Sequence, residues 1–581
     1  MNLKFLTFIS LIVSCLTTTA QNRNFIEVNP LQQSWVDSVF RKLNRREKIA
    51  QLFFVRAHTD KGKVYEDGVA ELIKKNKIGG LVFFQGGPQR QAILTNSYQK
   101  LSEVPLLIAM DAEWGLGMRL DSTISYPYQM TLGAIQDTSL IYQMGKKIAL
   151  DFKRLGMHIN FAPVVDINNN PNNPVINYRS FGDNKYNVAK KSAAYMKGLQ
   201  DGGILVSIKH FPGHGDTNVD SHSDLPVLNF SKARLDSLEL YPFKELIKQG
   251  ASGVMVAHMN IPSLDNTPNL PSTLSTPIVT GMLKEQMGFK GLVFSDAMEM
   301  KGVLKFFPDG EADVRAVIAG NDVVELSENT PRAIKMVRRA IRDKRITMVR
   351  IHESVKKILA AKYWAGLNKL MAIDTSNVYN DLNGGEAKAL NQRLADAAAT
   401  VLKSDSLIKQ LDLNQKTAII SLGVTEVSPF QNEMRKRFPN SNNYILSKIA
   451  SSFDIKNVTN DLKSYNQIIL AVHDYRKRPQ SSLDYNPELK AFIADLAKLN
   501  TITCLFANPY TILGLPGIER SKTLLIHYQN NEEAQLAAAK VLSNQMQASG
   551  KLPVTINTTF KTGDGIQFFP LPKNLSGQIG L

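Results

Sequence analysis

Ile204-Leu205-Val206-Ser207-Ile208-Lys209-His210-Phe211-Pro212-Gly213-His214-Gly215-Asp216-Thr217 joins two kinds of sequence. The first half is apolar without alternation, the pattern of a strand buried on both faces of a parallel sheet. The second half is rich in Gly and Pro and reads as a loop. The same apolar, β-branched pattern recurs at 52–56, 78–84, 106–111, 159–166, 253–258, 291–296 and 322–326, with helix-length segments between. Eight such units predict a (β/α)8 barrel of the TIM type. Arg56, Asp111, Asp166, Lys209, His210, His258 and Asp296 lie at or just past the carboxyl ends of these runs. Barrel enzymes build their sites on that face. Strands also end on charges simply because the chain is reaching solvent, but seven such residues weaken that explanation.

Residues 331–390 read as helical and connecting. A second alternation follows, with apolar runs at 417–422, 444–446, 468–473, 502–507 and 524–527 and helical stretches between. It predicts a smaller three-layer α/β/α sandwich. The expected layout is a barrel over 30–370, a linker over 371–400, the sandwich over 401–560 and a tail over 561–581. Residues 1–20 carry one charge, Lys4, an apolar core and Thr17-Thr18-Thr19-Ala20, the shape of a secretory signal cleaved after Ala20. Ile12-Val13-Ser14-Cys15 resembles a bacterial lipobox, so the alternative is lipidation at Cys15. Either predicts an exported protein, periplasmic or lipid-anchored.

The chain has 581 residues and two cysteines, Cys15 and Cys504, which excludes a disulfide framework and a cysteine-based zinc site. The net charge of +17 favours anionic surroundings. Its densest basic cluster, Arg338 to Arg345, falls in an apparent helix and reads as a solvated face. No nucleic-acid-binding motif accompanies it.

Three segments carry chemistry. In the first, His210, His214 and His222 lie close to Asp216 and Asp220. Neutral imidazoles bind zinc, but the spacing matches no metal motif. Pairing Asp220 with His222 accounts for the residues better. The carboxylate fixes the ring tautomer and stabilises the cation, leaving the other nitrogen as general acid and base. In the second, Gly291-Leu292-Val293-Phe294-Ser295 ends on Asp296, either a nucleophile or a helix cap. In the third, Met110-Asp111-Ala112-Glu113-Trp114-Gly115 precedes Arg119. Two carboxylates beside an indole suggest a sugar-binding edge, the carboxylates taking hydroxyl protons and the ring offering a stacking surface.

Lys209–Thr217, continued by Asp220-Ser221-His222 and Leu225-Pro226, resembles the signature of glycoside hydrolase family 3 in its NagZ-like β-N-acetylglucosaminidase branch. Phe294-Ser295-Asp296 resembles the family's nucleophile segment, and Tyr178-Arg179-Ser180-Phe181-Gly182 its sugar-clamping arginine loop. Ser549-Gly550-Lys551-Leu552-Pro553-Val554 resembles the close of its second domain. The resemblance implies a retaining hydrolase that removes terminal β-linked N-acetylglucosamine, from peptidoglycan fragments, without metal or organic cofactor. It implies Asp296 as nucleophile, His222 as acid/base and Asp220 as its partner. It gives Asp111, Arg179, Lys209 and His210 the sugar hydroxyls, with Arg119 and Arg56 beside them. The expected partner is a small carbohydrate, a muropeptide or an N-acetylglucosamine oligosaccharide. No nucleic acid is expected, and no membrane contact beyond a lipid anchor. Trp114 stands where many relatives carry Gly, which bears on the leaving-group side. The alternatives are a family 3 β-glucosidase or β-xylosidase, an N-acetylglucosaminide phosphorylase, and an inactive glycan-binding protein. The intact Asp296, Asp220 and His222 argue against the last.

Overall fold

The computed structural model describes residues 25–27, 29–221, 223–404, 406–478 and 483–567. The export segment with Cys15, and His222, lie outside the described residues. Among the described residues no helix is long and apolar enough to cross a membrane.

Nine strand pieces form the barrel: β1 (Phe53–Ala57), β2 (Gly80–Phe83), β3 (Leu107–Met110), β4 (Ile159–Asn160), β5 (Leu205–Val206), β6 (Ile208–Phe211), β7 (Gly253–Val256), β8 (Leu292–Ser295) and β9 (Val324–Glu325). They pair in the orders β5-β4-β3-β2-β1-β9 and β6-β7-β8. β5 and β6 are halves of one run interrupted at Ser207, and a parallel bridge from Phe294 to Val323 joins β8 to β9. The ring therefore has eight strand positions. Phe54, Phe161 and Phe294 meet edge to face inside it, with ring centroids 6.4 Å and 5.5 Å apart. This packed layer plugs the barrel and confines polar chemistry to the carboxyl ends.

Two strands depart from the sequence pattern. The run 159–166 is a strand only over Ile159–Asn160, because Pro163 has no N–H for the ladder. The run 204–209 extends through Phe211, so His210 lies within β6 rather than past its end. Helix Thr330–Arg342 buries Ala333, Ile334, Val337 and Ala340 and exposes Arg338, Arg339 and Arg342, the solvated face that the basic cluster suggests.

The interval 371–400 carries helices Val378–Leu382 and Gly385–Ala398. The second buries Ala387, Leu390, Asn391, Leu394 and Ala398 at helical spacing and packs on both domains through Thr138–Arg154 and Glu532–Leu542. The second sheet comprises β10 (Thr400–Lys403), β11 (Thr417–Leu422), β12 (Ser441–Leu446), β13 (Gln467–His473), β14 (Thr501–Phe506) and β15 (Thr523–Ile526). Its order is β10-β15-β14-β13-β11-β12, parallel except where β10 runs against β15. Helices Pro429–Arg437 and Glu532–Leu542 cover one face, and Ser452–Leu462 and Pro487–Leu496 the other.

The carboxyl ends of the two sheets meet. Gln529, past β15, accepts the Tyr128 N–H at 2.6 Å and the Thr131 hydroxyl at 2.7 Å. Past β14, the Asn508 amide donates to Asn177 at 2.7 Å and the Tyr510 hydroxyl accepts from Asn168 at 3.0 Å.

Candidate active site

A cavity of about 290 Å³ opens at the carboxyl end of the barrel. Arg56, Asp111, Arg119, Arg179, Lys209, His210 and Asp296 all line it. Asp220 is described but is not among the lining residues; its neighbour Ser221 is.

The wall built by β3 and β6 is an ion network. Lys209, near the middle of β6, donates to Asp111 at 2.7 Å and contacts Glu113 at 2.8 Å. Arg119 donates to the other Asp111 oxygen at 2.8 Å. Arg179 grips Glu113 with two nitrogens, at 2.7 and 3.0 Å, the fork geometry that suits guanidinium to carboxylate. Burial pushes both carboxyls up, but the cations outweigh it. Lys209 and Arg119 hold Asp111 well below the usual carboxylate range, and Arg179 and Lys209 pull Glu113 down to about 2. Glu113 is fully buried. It clamps Arg179 and Lys209, a role the sequence reading does not assign to it. Trp114 departs from the sequence expectation. It is buried against Tyr128 and Tyr178, in one cluster with Tyr510 and Val554 of the second domain, and is not a lining residue.

Asp166 organises the loop after β6. Its carboxylate accepts the backbone N–H of His214 at 2.7 Å and of His210 at 3.2 Å, and the His210 Nδ1–H at 2.7 Å. Arg179 sits 3.3 Å from His210 Nε2, so that nitrogen presents its lone pair. His214 shares hydrogens with Thr217 at 2.8 Å and Ser221 at 3.2 Å, folding the loop back so that Ser221 reaches the cavity. Burial and the neighbouring His210 lower the His214 pKa to about 4, so its ring is neutral at pH 7.

Asp296 directly follows β8. Its N–H donates to the Val256 carbonyl at 3.0 Å, and its Oδ1 accepts the Ala297 N–H at 2.8 Å. The next helix begins at Lys301 with Met300 as its cap residue, so Asp296 is not a helix cap. His258 lies beside this turn, its Nε2–H on the Ala297 carbonyl at 3.1 Å. Arg56 pairs with Glu299, and the Arg56 and Arg119 guanidinium carbons lie 3.8 and 4.6 Å from the Phe84 ring centroid.

The arginine loop is braced from the second domain. The Asp183 N–H donates to the Pro553 carbonyl at 3.1 Å, and Thr555 N–H donates to the Asp183 carboxylate at 2.6 Å. Gly182 between them has φ +134, and a Cβ there would meet the Pro553 oxygen at 2.1 Å. Only glycine fits.

Sequence reasoning misses three charged lining residues, Glu299, Glu325 and Arg478. Glu325 ends the eighth run and carries the same strand-end signal as Asp296. Arg478, from the loop after β13, reaches the cavity rim; its guanidinium donates to the Pro174 carbonyl and lies 5.6 Å from the Tyr178 ring centroid. No signal marks Arg478, because its place depends on how the domains dock.

Comparison with known proteins identifies the family. The profile of the glycosyl hydrolase family 3 N-terminal domain matches residues 45–361. Beta-hexosaminidase A of Pseudoalteromonas piscicida is 29% identical over 552 residues, 84% of this chain and 91% of that protein. Beta-hexosaminidase LpqI of Mycobacterium tuberculosis is 30% identical over 338 residues, 55% of this chain and 83% of its own length. A solved family 3 β-N-acetylglucosaminidase from Paenibacillus sp. FPU-7 superposes with a TM-score of 0.74 at 30% identity, covering 89% of this chain and 99% of that one. The β-glucoside phosphorylase BglX, 22 to 23% identical with a TM-score of 0.77 to 0.78, shares the fold. With the profile spanning more than half the chain and five of the seven strand-end residues lining one cavity, this protein belongs to glycosyl hydrolase family 3 and is a glycosidase.

Proposed function

We propose that the enzyme is a retaining β-N-acetylglucosaminidase acting on terminal β-linked N-acetylglucosamine in peptidoglycan fragments. One observation carries the reading: Ser221, which separates Asp220 from His222 in the chain, lines the same cavity as Asp296. The loop after β6 thus reaches that cavity at Ser221. Asp296 attacks the anomeric carbon, and its carboxylate oxygen forms the new bond as the glycosidic bond breaks. His222, its charge supported by Asp220, gives a proton to the departing oxygen. Water, deprotonated by His222, then releases the sugar from Asp296. Two inversions give net retention. Asp111, Lys209, Arg179 and His210 hold the sugar hydroxyls, with Arg119 and Arg56 alongside.

The substrate class draws support from charge. Arg478 offers a cation at the rim, on the second domain's side. A muramic acid leaving group carries a carboxylate that suits it. A histidine acid also tolerates that charge better than a second carboxyl. The hexosaminidase relatives favour the same glycone. Export through residues 1–20, by cleavage after Ala20 or lipidation at Cys15, fits an envelope substrate; cell fractionation that finds the uncleaved chain in the cytoplasm would refute it.

The deciding experiment compares aryl β-glycosides that differ only at C2. The acetamido sugar should be hydrolysed on the order of a hundredfold faster in kcat/KM than the hydroxyl sugar, with the product anomer retained. Equal rates, or inversion, would sink the reading.

A further inference from the structure

One carboxyl in the cavity has no part in that mechanism. Glu325 ends β9, the strand beside Asp296. Its N–H donates to the Ser295 hydroxyl at 2.9 Å, and its carbonyl accepts the Met298 N–H at 2.9 Å. The backbone is thereby locked to the turn that carries Asp296. The side chain is 3% exposed, yet it lines the cavity together with Asp111, Lys209 and Asp296. Its Oε1 is sealed from solvent and has no hydrogen-bond partner among the described residues.

The charges around it explain its state. Asp111 and Asp296 face it, and both are acidic. Lys209 also acts on it, but that ammonium is committed to Asp111 and Glu113. An ionised carboxylate needs donors or a free cation when buried, and among the described residues none reaches Glu325 Oε1. Burial and the two neighbouring acids hold the Glu325 pKa well above its ordinary value. A protonated carboxyl is a hydrogen-bond donor, and Glu325 lines the cavity that a bound glycone would fill.

We propose that Glu325 is a sugar-binding residue of this site, its carboxyl group donating a hydrogen bond from the cavity floor to a hydroxyl oxygen of the bound glycone. The inference rests on the reading of the cavity as the sugar site. It gives that site both hydrogen-bond polarities. Asp111 accepts from hydroxyl groups, whereas Glu325 donates to one, so a ring must present hydroxyls of matching orientation. No proton leaves Glu325 during turnover.

The test uses the full chain and two variants. Glu325→Leu keeps the bulk and removes the donor. Glu325→Gln keeps a neutral donor of similar shape. On an aryl β-N-acetylglucosaminide, Glu325→Leu should lower kcat/KM by about tenfold to a hundredfold, mostly through KM, and Glu325→Gln should recover most of that loss. The infrared difference spectrum between wild type and Glu325→Gln at neutral pH should show the carbonyl stretch of a protonated carboxyl. Adding N-acetylglucosamine should move that band. Absence of the band, a band unmoved by the sugar, or a folded Gln variant as impaired as the Leu variant would each overturn the proposal. Wild-type protein inactive on every aryl β-glycoside would overturn the cavity reading itself. An active enzyme matched by its Leu variant overturns only the role of Glu325.

Discussion

Glu113 and Glu325 stand on two regions of one cavity, the β3–β6 wall and the β8–β9 floor, and end in opposite electrostatic states. Both are buried. Glu113 meets Arg179 through two hydrogen bonds and Lys209 through a third contact, and its pKa falls to about 2. Glu325 meets two other acids, and its pKa rises well above the ordinary value. Burial pushes both the same way; the neighbours decide the sign. The wall is a fixed lattice of charge that shapes the site before substrate arrives. On the floor, burial and the neighbouring acids favour the neutral form of the Glu325 carboxyl.

Asp296 belongs to the floor, and replacing it tests whether chemistry resides there. Asp296→Asn should lower kcat by at least about a thousandfold while the protein still folds. Steady-state rates with a thermal melt as control decide this, and a loss of only a few-fold would remove Asp296 from the covalent role.

The next largest effect breaks the wall. Glu113→Gln leaves Lys209 and Arg179 short of a buried counter-charge, a defect that costs about 3–5 kcal/mol of stability. Chemical denaturation should show that loss, accompanied by weaker sugar binding. A variant as stable as wild type would mean that the network contributes little to holding the fold.

A smaller effect sharpens the contrast through pH. Glu113 has a folded pKa below its ordinary 4.5, so its contribution is present above about pH 4.5 and is lost as the pH falls toward 2. Glu325 has the opposite sign. Its folded state holds the proton more tightly than the unfolded state does, so stability is lost as the pH rises above 4.5 toward the folded pKa. Glu325→Gln removes that penalty. It should be more stable than wild type at pH 8 and should lose this advantage by pH 4 in denaturant titrations. An advantage independent of pH would contradict the neutral state of Glu325.

The sequence makes the barrel legible because its strands are continuous apolar runs and its polar residues cluster at one end of each. Five of the named site residues, Arg56, Asp111, Lys209, His210 and Asp296, share the cavity for that reason. What it conceals depends on neighbours distant in the chain. Glu113 looks like a hydroxyl acceptor until Arg179 and Lys209 close on it. Trp114 looks like a stacking platform until Tyr510 and Val554 bury it from the second domain. Helix Gly385–Ala398 shows its apolar stripe in the sequence, but nothing there says that both domains supply its partners. The second domain's share of the site, Arg478 and the brace at Pro553, comes from docking and has no local pattern.

That brace gives the enzyme a temporal order. The contact between Thr555 and Asp183 joins residues 372 positions apart. A ribosome finishes the nucleophile strand and the entire barrel long before it adds Pro553. Until then the arginine loop lacks the carbonyl and the N–H that hold Asp183, and Arg179 is held only by its barrel partners, Glu113 and the Val175 carbonyl. The same holds for a chain clipped ahead of Pro553, which retains every proposed catalytic group but loses the brace. The final placing of the arginine loop is thereby coupled to completion and docking of the second domain.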